Sequence, residues 1–118
     1  MSLPKLLNEE VTVSRYELGL DFFNEYIEVF TSEAQQTCSE LAELFEAANY
    51  EQLVRRAHDL KGLCFNLGLE RFAAHLKSME NLGKASDREG LSTAVAALED
   101  LKTEAVAALI AYRDAQAD

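Results

Sequence analysis

Residues that break helices are scarce in this sequence. Its 118 residues include one proline, Pro4, and five glycines. Folds made only of strands need many turn residues, so this composition favours long helices. Long apolar runs are also missing, which excludes a membrane-spanning helix, and residues 1–7 contain no apolar stretch of the kind found in secretory signal peptides. We therefore expect a helical protein located in the cytoplasm.

Motifs that bind metals or nucleotides are also missing. Cys38 and Cys64 form neither a C-x-x-C pair nor a Cys/His ligand spacing, so we expect two reduced, buried thiols rather than a zinc site. Di-iron bundles need a glutamate three residues before a histidine, and neither His58 nor His75 has one. The sequence also lacks a glycine-rich phosphate loop and a G-x-S-x-G motif. It therefore predicts no metal site and no hydrolysis of a nucleotide.

Lysine and arginine are few, and most of them fall in one segment. The chain has 11 of them against 21 acidic residues, which gives a formal net charge of −10 at pH 7. Residues 55–88 hold seven bases and four acids, a net +3, whereas the rest of the chain holds four bases and 17 acids, a net −13. An acidic chain repels nucleic acid and anionic membranes, so we expect neither as a partner. The basic segment indicates either solvated helix faces or a site for an anion or an acidic partner, and charge alone does not decide between them.

Apolar residues recur at spacings of three and four, which is typical of amphipathic helices. Four helices are predicted, at about residues 20–48, 50–67, 70–83 and 87–113, after a weakly patterned lead-in that ends near residue 17. Their apolar stripes are Phe23, Ile27, Phe30, Ala34, Thr37, Leu41, Leu44 and Ala48 in the first, Leu53, Ala57, Leu60, Cys64 and Leu67 in the second, Leu69, Phe72, Leu76, Met79 and Leu82 in the third, and Leu91, Val95, Leu98, Leu101, Ala105, Leu109 and Tyr112 in the fourth.

The residues between the stripes predict where the helices begin and end. Asn49 and Ser86 each precede a glutamine or glutamate by three positions, which is the pattern of a capping box. Gly68 stands where a left-handed C-cap is expected. Because the connections are short, consecutive helices should be antiparallel. We predict an all-α, antiparallel up-down-up-down four-helix bundle with a short N-terminal lead-in, a single domain over residues 1–118 with its core at about 20–113.

His58 is predicted to lie on the outer face of the second helix. At about 100° of rotation per residue, it points about 140° away from that helix's apolar stripe. Arg55, Lys61 and Gly62 are three or four residues away and therefore share its surface. A glycine inside a helix costs up to about 1 kcal/mol relative to alanine, and here it would leave the imidazole open to a bulky partner. The alternative is an ordinary surface histidine, with Gly62 at a local kink.

Apolar side chains flank the same surface. Val54 and Phe65 lie at about 120° and 140° on the helical wheel, close to His58. An apolar patch around an accessible histidine and lysine is more typical of a docking surface than of a solvated face. We therefore predict that Val54, Arg55 and Phe65 contact a partner.

Two stretches of the second helix and its end carry a family resemblance. Residues 57–62 (AHDLKG) and 66–69 (NLGL) resemble the signature of histidine-containing phosphotransfer (HPt) domains, which is A-H-x-L-K-G followed by a leucine-glycine pair. The preceding residues 47–53 (AANYEQL) resemble the polar turn that enters the active helix of the family, and the resemblance extends over about residues 22–112. The sequence departs from the family at Leu63 and Cys64, where small residues are frequent, and at Phe65, which is bulkier than usual.

The resemblance implies a role for each matching residue. His58 would be phosphorylated through Nε2, Lys61 would stabilise the charge of the phosphoryl group, and Gly62 would give a partner access. Glu80, late in the third helix, stands where family members often place a residue that orients the imidazole. His75, at the edge of the third stripe, is predicted to be a partly exposed, structural histidine rather than a second acceptor.

The resemblance also implies the partners, which are receiver domains of hybrid histidine kinases and response regulators. Such a receiver would bring the phospho-aspartate and Mg²⁺, so the chain would need no cofactor of its own and would be a phosphocarrier without an independent catalytic cycle. We expect it to be a monomer. Two alternatives stay open: a helical adaptor that docks receivers without transferring phosphate, and the phospho-accepting domain of a chemotaxis-type histidine kinase.

Overall fold

The computed structural model describes the backbone of residues 5–116 and, except at residues 14–16, their side chains. The described chain is helical and contains no strand. Its six helices are α1 (Glu9–Tyr16), α2 (Leu20–Glu46), α3 (Tyr50–Leu67), α4 (Glu70–Lys84), α5 (Arg88–Ala96) and α6 (Leu98–Gln116). The predicted lead-in contains α1, and the four predicted helices correspond to α2, α3, α4 and the pair α5–α6. No helix in this part of the chain combines the length and the hydrophobicity needed to cross a bilayer.

The predicted apolar stripe of α2 is buried over most of its length. Phe23, Phe30 and Leu41 are fully buried, and Phe30 packs edge-on against Phe72 of α4 with 6.3 Å between the ring centroids. Leu44 is half-buried and packs against the core, as the stripe predicts. The prediction is wrong for Ala48, which is exposed, and it missed Phe45, which is buried. Ala48 is exposed because α2 ends at Glu46, and Ala48 has left the helix with φ of 56°.

Both predicted ends of α3 are confirmed. The side-chain oxygen of Asn49 accepts a hydrogen bond from the backbone N–H of Gln52 at 3.3 Å. Gly68 has the left-handed conformation, with φ of 79°, and the N–H of Leu69 donates to the carbonyl of Cys64. These local contacts define the helix that carries His58.

The helix α1 packs over the α3–α4 connection. The buried hydroxyl of Thr12 donates to the carbonyl of Leu67 at 2.9 Å, and a Cβ on Gly68 would lie only 2.8 Å from that hydroxyl oxygen. Glycine at position 68 therefore serves the left-handed cap and also allows α1 to approach closely.

The predicted cap at Ser86 is wrong by one residue. Asp87 is the N-cap of α5, and its side chain accepts a hydrogen bond from the N–H of Gly90 at 2.9 Å. Ser86 has φ of 52° and belongs to the preceding turn. A carboxylate is a strong acceptor at the positive end of a helix, so Asp87 displaces the neighbouring hydroxyl from this role.

The predicted fourth helix is interrupted at Ala97. The N–H of Ala97 donates to the carbonyl of Ala94, three residues earlier, at 3.3 Å. The same carbonyl oxygen lies 2.9 Å from Nε2 of His75 on α4. A side chain that bonds a helix carbonyl is a known cause of such breaks, and the local sequence contains no proline or glycine to predict one.

Close packing of α3 against α4 sets the position of the site. A Cβ on Gly83 of α4 would lie 2.6 Å from Cγ2 of Val54, so glycine is required for the two helices to approach this closely.

Cys38 and Cys64 are buried and form no disulfide, and desolvation raises the pKa of the Cys38 thiol to about 11. The predicted buried, reduced thiols are confirmed.

Candidate functional site around His58

His58 lies at the middle of α3 and faces outward, as the helical wheel predicts. Its side chain is 69% exposed, and its Nδ1 atom lies 2.8 Å from Oε1 of Glu80 on α4. Because an ionised carboxylate only accepts hydrogen bonds, Nδ1 carries the hydrogen and donates it. In the neutral ring the lone pair is then on Nε2, which is the nitrogen left available to a partner.

Glu80 is a buried carboxylate with two partners. It is 5% exposed; Oε1 accepts from His58, and Oε2 accepts from Nζ of Lys61 at 2.9 Å. Burial alone raises the pKa of a carboxyl group, but the hydrogen bonds from Lys61 and His58 outweigh that effect and hold the pKa of Glu80 below its usual value. The carboxylate therefore stays ionised and holds both cation and imidazole in place.

Lys61 is more buried than the helical wheel suggests. Its side chain is only 13% exposed, and its ammonium group contacts Glu80. The wheel places Lys61 away from the stripe of α3, but it takes no account of α4, which covers the lysine stem. The structure thus brings His58, Lys61 and Glu80 together as one hydrogen-bonded group, with Glu80 in the middle.

Gly62 leaves open surface beside the imidazole. A Cβ placed on it would meet no heavy atom within 4 Å, apart from its own helix. Neither packing nor a left-handed backbone therefore explains glycine at this position. Because Gly62 follows His58 by four residues, this open surface lies on the side of α3 that carries His58.

Val54 and Arg55, two of the predicted contact residues, share a depression with His58. The depression has a volume of about 280 Å³ and is lined by Val54, Arg55, His58, Asp59, Glu80 and Lys84. Phe65 does not line it. This side chain is 54% exposed and lies about two turns along α3, roughly 10 Å from His58 along the helix axis.

Sequence reasoning missed Lys84 as a site residue. It lies four residues after Glu80 on α4 and lines the same depression as His58. The spacing from Glu80 could have indicated it, but only once Glu80 is known to face α3. Lys77, three residues before Glu80, lies on the same side of α4 but does not line the depression.

The remaining polar residues near the site do not form a metal centre. In the described part of the chain, no three His, Cys, Asp or Glu side chains come together in a way that could hold a metal ion. Asp59 points to Arg56, with 3.5 Å between Oδ2 and Nη1, rather than to the imidazole. His75 is half-buried and bonded to the carbonyl of Ala94, as expected for a structural histidine.

The chain resembles known proteins along most of its length. The model of the Hpt domain family matches residues 25–109. The phosphorelay intermediate protein YPD1 of Candida albicans is 29% identical over 106 residues, which cover 90% of this chain and 54% of the relative. The chain thus spans about half the length of that relative.

A solved structure has the same fold. The histidine-containing phosphotransfer protein B (HptB) of Pseudomonas aeruginosa superposes with a TM-score of 0.85 at 18% sequence identity, over 95% of this chain and 97% of that chain. The helical fold predicted from the sequence is confirmed, although α1 and the division of the last helix raise the number of described helices to six. Because the family model covers most of the sequence, the chain belongs to the Hpt domain family.

Proposed function

We propose that this chain is a phosphorelay intermediate, in which His58 takes a phosphoryl group from the aspartate of one receiver domain and passes it to the aspartate of another. The observation that carries the proposal is the arrangement of His58, which is exposed while a buried carboxylate holds its Nδ1. Membership of the Hpt domain family supports the same reaction.

The proposed transfer needs one nucleophilic atom from this chain. The lone pair of Nε2 attacks phosphorus in the acyl phosphate, the bond between phosphorus and the aspartyl oxygen breaks, and that oxygen leaves with the electron pair as a carboxylate. The imidazole gains positive charge as the N–P bond forms. Glu80, on Nδ1, offsets this charge, and the second transfer reverses the step with a new aspartate.

Lys61 and Gly62 have supporting roles in this proposal. The ammonium of Lys61 is one turn from His58 on α3, and it holds Glu80 at 2.9 Å in the unphosphorylated protein. It therefore keeps the carboxylate ionised before transfer and adds positive charge close to the incoming phosphoryl group. The open surface at Gly62 lets the partner's aspartate reach Nε2.

We also propose that the receiver supplies the remaining chemistry. Transfer from an acyl phosphate requires in-line positioning and neutralisation of the phosphoryl charge, and Mg²⁺ bound by the receiver would provide the latter. This chain would then be a phosphocarrier without an independent catalytic cycle.

Labelling by a phosphorylated receiver tests the proposal. A receiver carrying ³²P on its aspartate should transfer the label to this protein, and the product should be acid-labile and base-stable, as expected for phosphohistidine. His58→Gln should take up no label. His75→Gln is the matched control, because it removes the other histidine, and it should be labelled like the unmodified protein.

Three results would contradict the proposal. Label on His58→Gln would place the acceptor elsewhere. Receiver binding without any transfer would instead support the adaptor alternative. Labelling by a kinase core and ATP, but not by receivers, would support a chemotaxis-type phospho-accepting domain.

A further inference from the structure

The basic residues of this acidic protein differ in whether an acid neutralises them. Away from His58, most arginines and lysines are paired at short distances: Arg56 with Glu40 at 2.7 Å, Arg71 with Glu104 at 2.6 Å, Lys102 with Glu99 at 2.9 Å and Arg113 with Asp114 at 3.1 Å. Such pairs contribute little net charge to the surface around them. The positive charge that remains must therefore come from the other bases.

Two unpaired lysines flank the site on α4. Lys77 and Lys84 are exposed, and neither forms an ion pair with any residue that the structure describes. They lie three residues before and four residues after Glu80, so both project from the side of α4 that carries Glu80 towards His58. Lys84 also lines the depression that contains His58.

Arg55 supplies a third cation from the opposite helix. It precedes His58 by one turn on α3 and lines the same depression as Lys84. Its pair with Glu51 is long, at 3.4 Å, and both side chains are largely exposed, at 66% and 80%. Water and salt screen such a pair, so Arg55 stays free to meet another anion.

The acids near the depression leave positive charge in excess. Asp59 and Glu51 make exposed pairs of similar length, 3.5 Å with Arg56 and 3.4 Å with Arg55, and Glu80 is buried between His58 and Lys61. Lys77 and Lys84 remain without an acidic partner among the described residues. We call Arg55, Lys77 and Lys84 the basic collar: Arg55 and Lys84 line the depression with His58, and Lys77 is one turn from Glu80 on the same side of α4. The chain has a formal net charge of −10, so the basic collar is a local region of opposite charge.

The positive charge of the basic collar indicates which chemical group it attracts. Under the proposed function, on which this inference rests, the group that must approach His58 is an acyl phosphate, which is anionic, on a receiver aspartate. Most of the surface repels such a group because the rest of the chain is acidic. We propose that Arg55, Lys77 and Lys84 direct the anionic phospho-aspartate face of a receiver to His58, and that they set the rate of productive encounter rather than the chemistry of transfer.

The inference predicts a particular dependence on salt. Steering by exposed charges raises association rates by about 10- to 1,000-fold at low ionic strength and is screened as salt is added. The double variant Lys77→Ala/Lys84→Ala should therefore lower the second-order rate constant of transfer about tenfold in dilute buffer. In about 0.5 M salt the difference should shrink to about twofold. Adding Arg55→Ala should enlarge the loss in dilute buffer.

A matched control places the same change in net charge elsewhere. Thr103→Glu/Ala111→Glu also makes the protein two units more negative, at exposed positions of α6, a helix that packs mainly against α2. This variant should lower the rate constant far less than the double lysine variant. Complete labelling of every variant by phosphoramidate, a small phosphodonor, shows that His58 remains reactive.

Binding measured alongside transfer separates this inference from the proposed function. Titration uses the same receiver domain with beryllofluoride and Mg²⁺, which mimic its phosphorylated state. Salt-dependent binding that the lysine variants weaken, without transfer, would support the collar and refute the relay. Transfer and binding that are insensitive to salt and to the lysine variants, or equal losses in the α6 control, would overturn the collar and leave the relay standing.

Discussion

The two histidines of this protein lie in different surroundings, one at the α3–α4 contact and one at the α4–α5 contact. His58 is exposed, and Glu80 accepts the hydrogen of its Nδ1. His75 is half-buried, and the carbonyl of Ala94 accepts the hydrogen of its Nε2. The ring nitrogen that hydrogen-bonds to the protein therefore determines which nitrogen is left to react with a partner. In His58 the outer nitrogen, Nε2, keeps its lone pair, whereas in His75 the same atom is used to hold a helix.

Of the variants considered, a replacement of Glu80 should have the largest effect, because it removes the hydrogen bond that distinguishes His58 from His75. Glu80→Ala removes the acceptor from Nδ1 of His58, so the ring should populate both tautomers and phosphorylation should slow about 10- to 100-fold, which is the loss typical of metal-binding histidines whose orienting carboxylate is removed. Phosphoramidate labelling measures the rate, and ¹⁵N chemical shifts report the tautomer. Glu80→Gln keeps an acceptor, so its rate of phosphorylation should fall less. A shift in the His75 signals, or an unchanged His58 tautomer in Glu80→Ala, would show that Glu80 does not specifically fix the tautomer of His58.

Removing the Lys61 ammonium should have a smaller effect, which is measured as a loss of stability. Lys61→Met keeps an apolar stem but leaves Glu80 with one partner fewer, which should cost about 1–3 kcal/mol near neutral pH. The pKa of Glu80 is lowered in the folded protein, so its contribution is present above its ordinary pKa of 4.5 and is lost as the pH falls through the folded value. Urea unfolding at about pH 7 and about pH 3 should therefore show the difference between the two proteins shrinking in acid. A constant difference would mean that Lys61 stabilises the fold by packing alone.

Replacing His75 should affect stability but not transfer. His75→Ala removes one hydrogen bond to the carbonyl of Ala94, which should cost about 1 kcal/mol in the free energy of unfolding. Transfer from a receiver should stay within about twofold of that of the unmodified protein, because the site at His58 keeps all its contacts. A tenfold loss of transfer would show that the α4–α5 contact acts on the site.

The smallest expected effect is a gain in stability at Gly62. Because a Cβ there meets no neighbour, Gly62→Ala should stabilise α3 by up to about 1 kcal/mol. Gly83→Ala is the informative counterpart on α4, since its Cβ would lie 2.6 Å from Val54 and should destabilise the protein. Thermal unfolding measures both. Destabilisation by Gly62→Ala would mean that glycine is needed for the fold rather than for access to His58.

Local features of the sequence predicted most of the helices. Asn49 and Gly68 act on their own helix within three or four residues, so the ends of α3 follow from residue type and spacing. The prediction was wrong where tertiary contacts intervene. The break at Ala97 coincides with a bond from His75, 19 residues earlier in the chain, and no residue near Ala97 indicates it. Leu44 and Phe45 both contact the core, and the packing at the end of the helix buries Phe45 more deeply.

The sequence alone determined the helical bundle, the outward direction of His58 and the signature around it, because helical periodicity and capping are local. The groups that surround that histidine depend on how the helices pack. Glu80 is 22 residues away in the chain, and it meets His58 and Lys61 because Gly83 lets α4 pack closely on α3 in one register. That register also places Lys84 in the depression beside His58. A single helix's pattern contains no information on the register between two helices, since that register results from the packing of both surfaces.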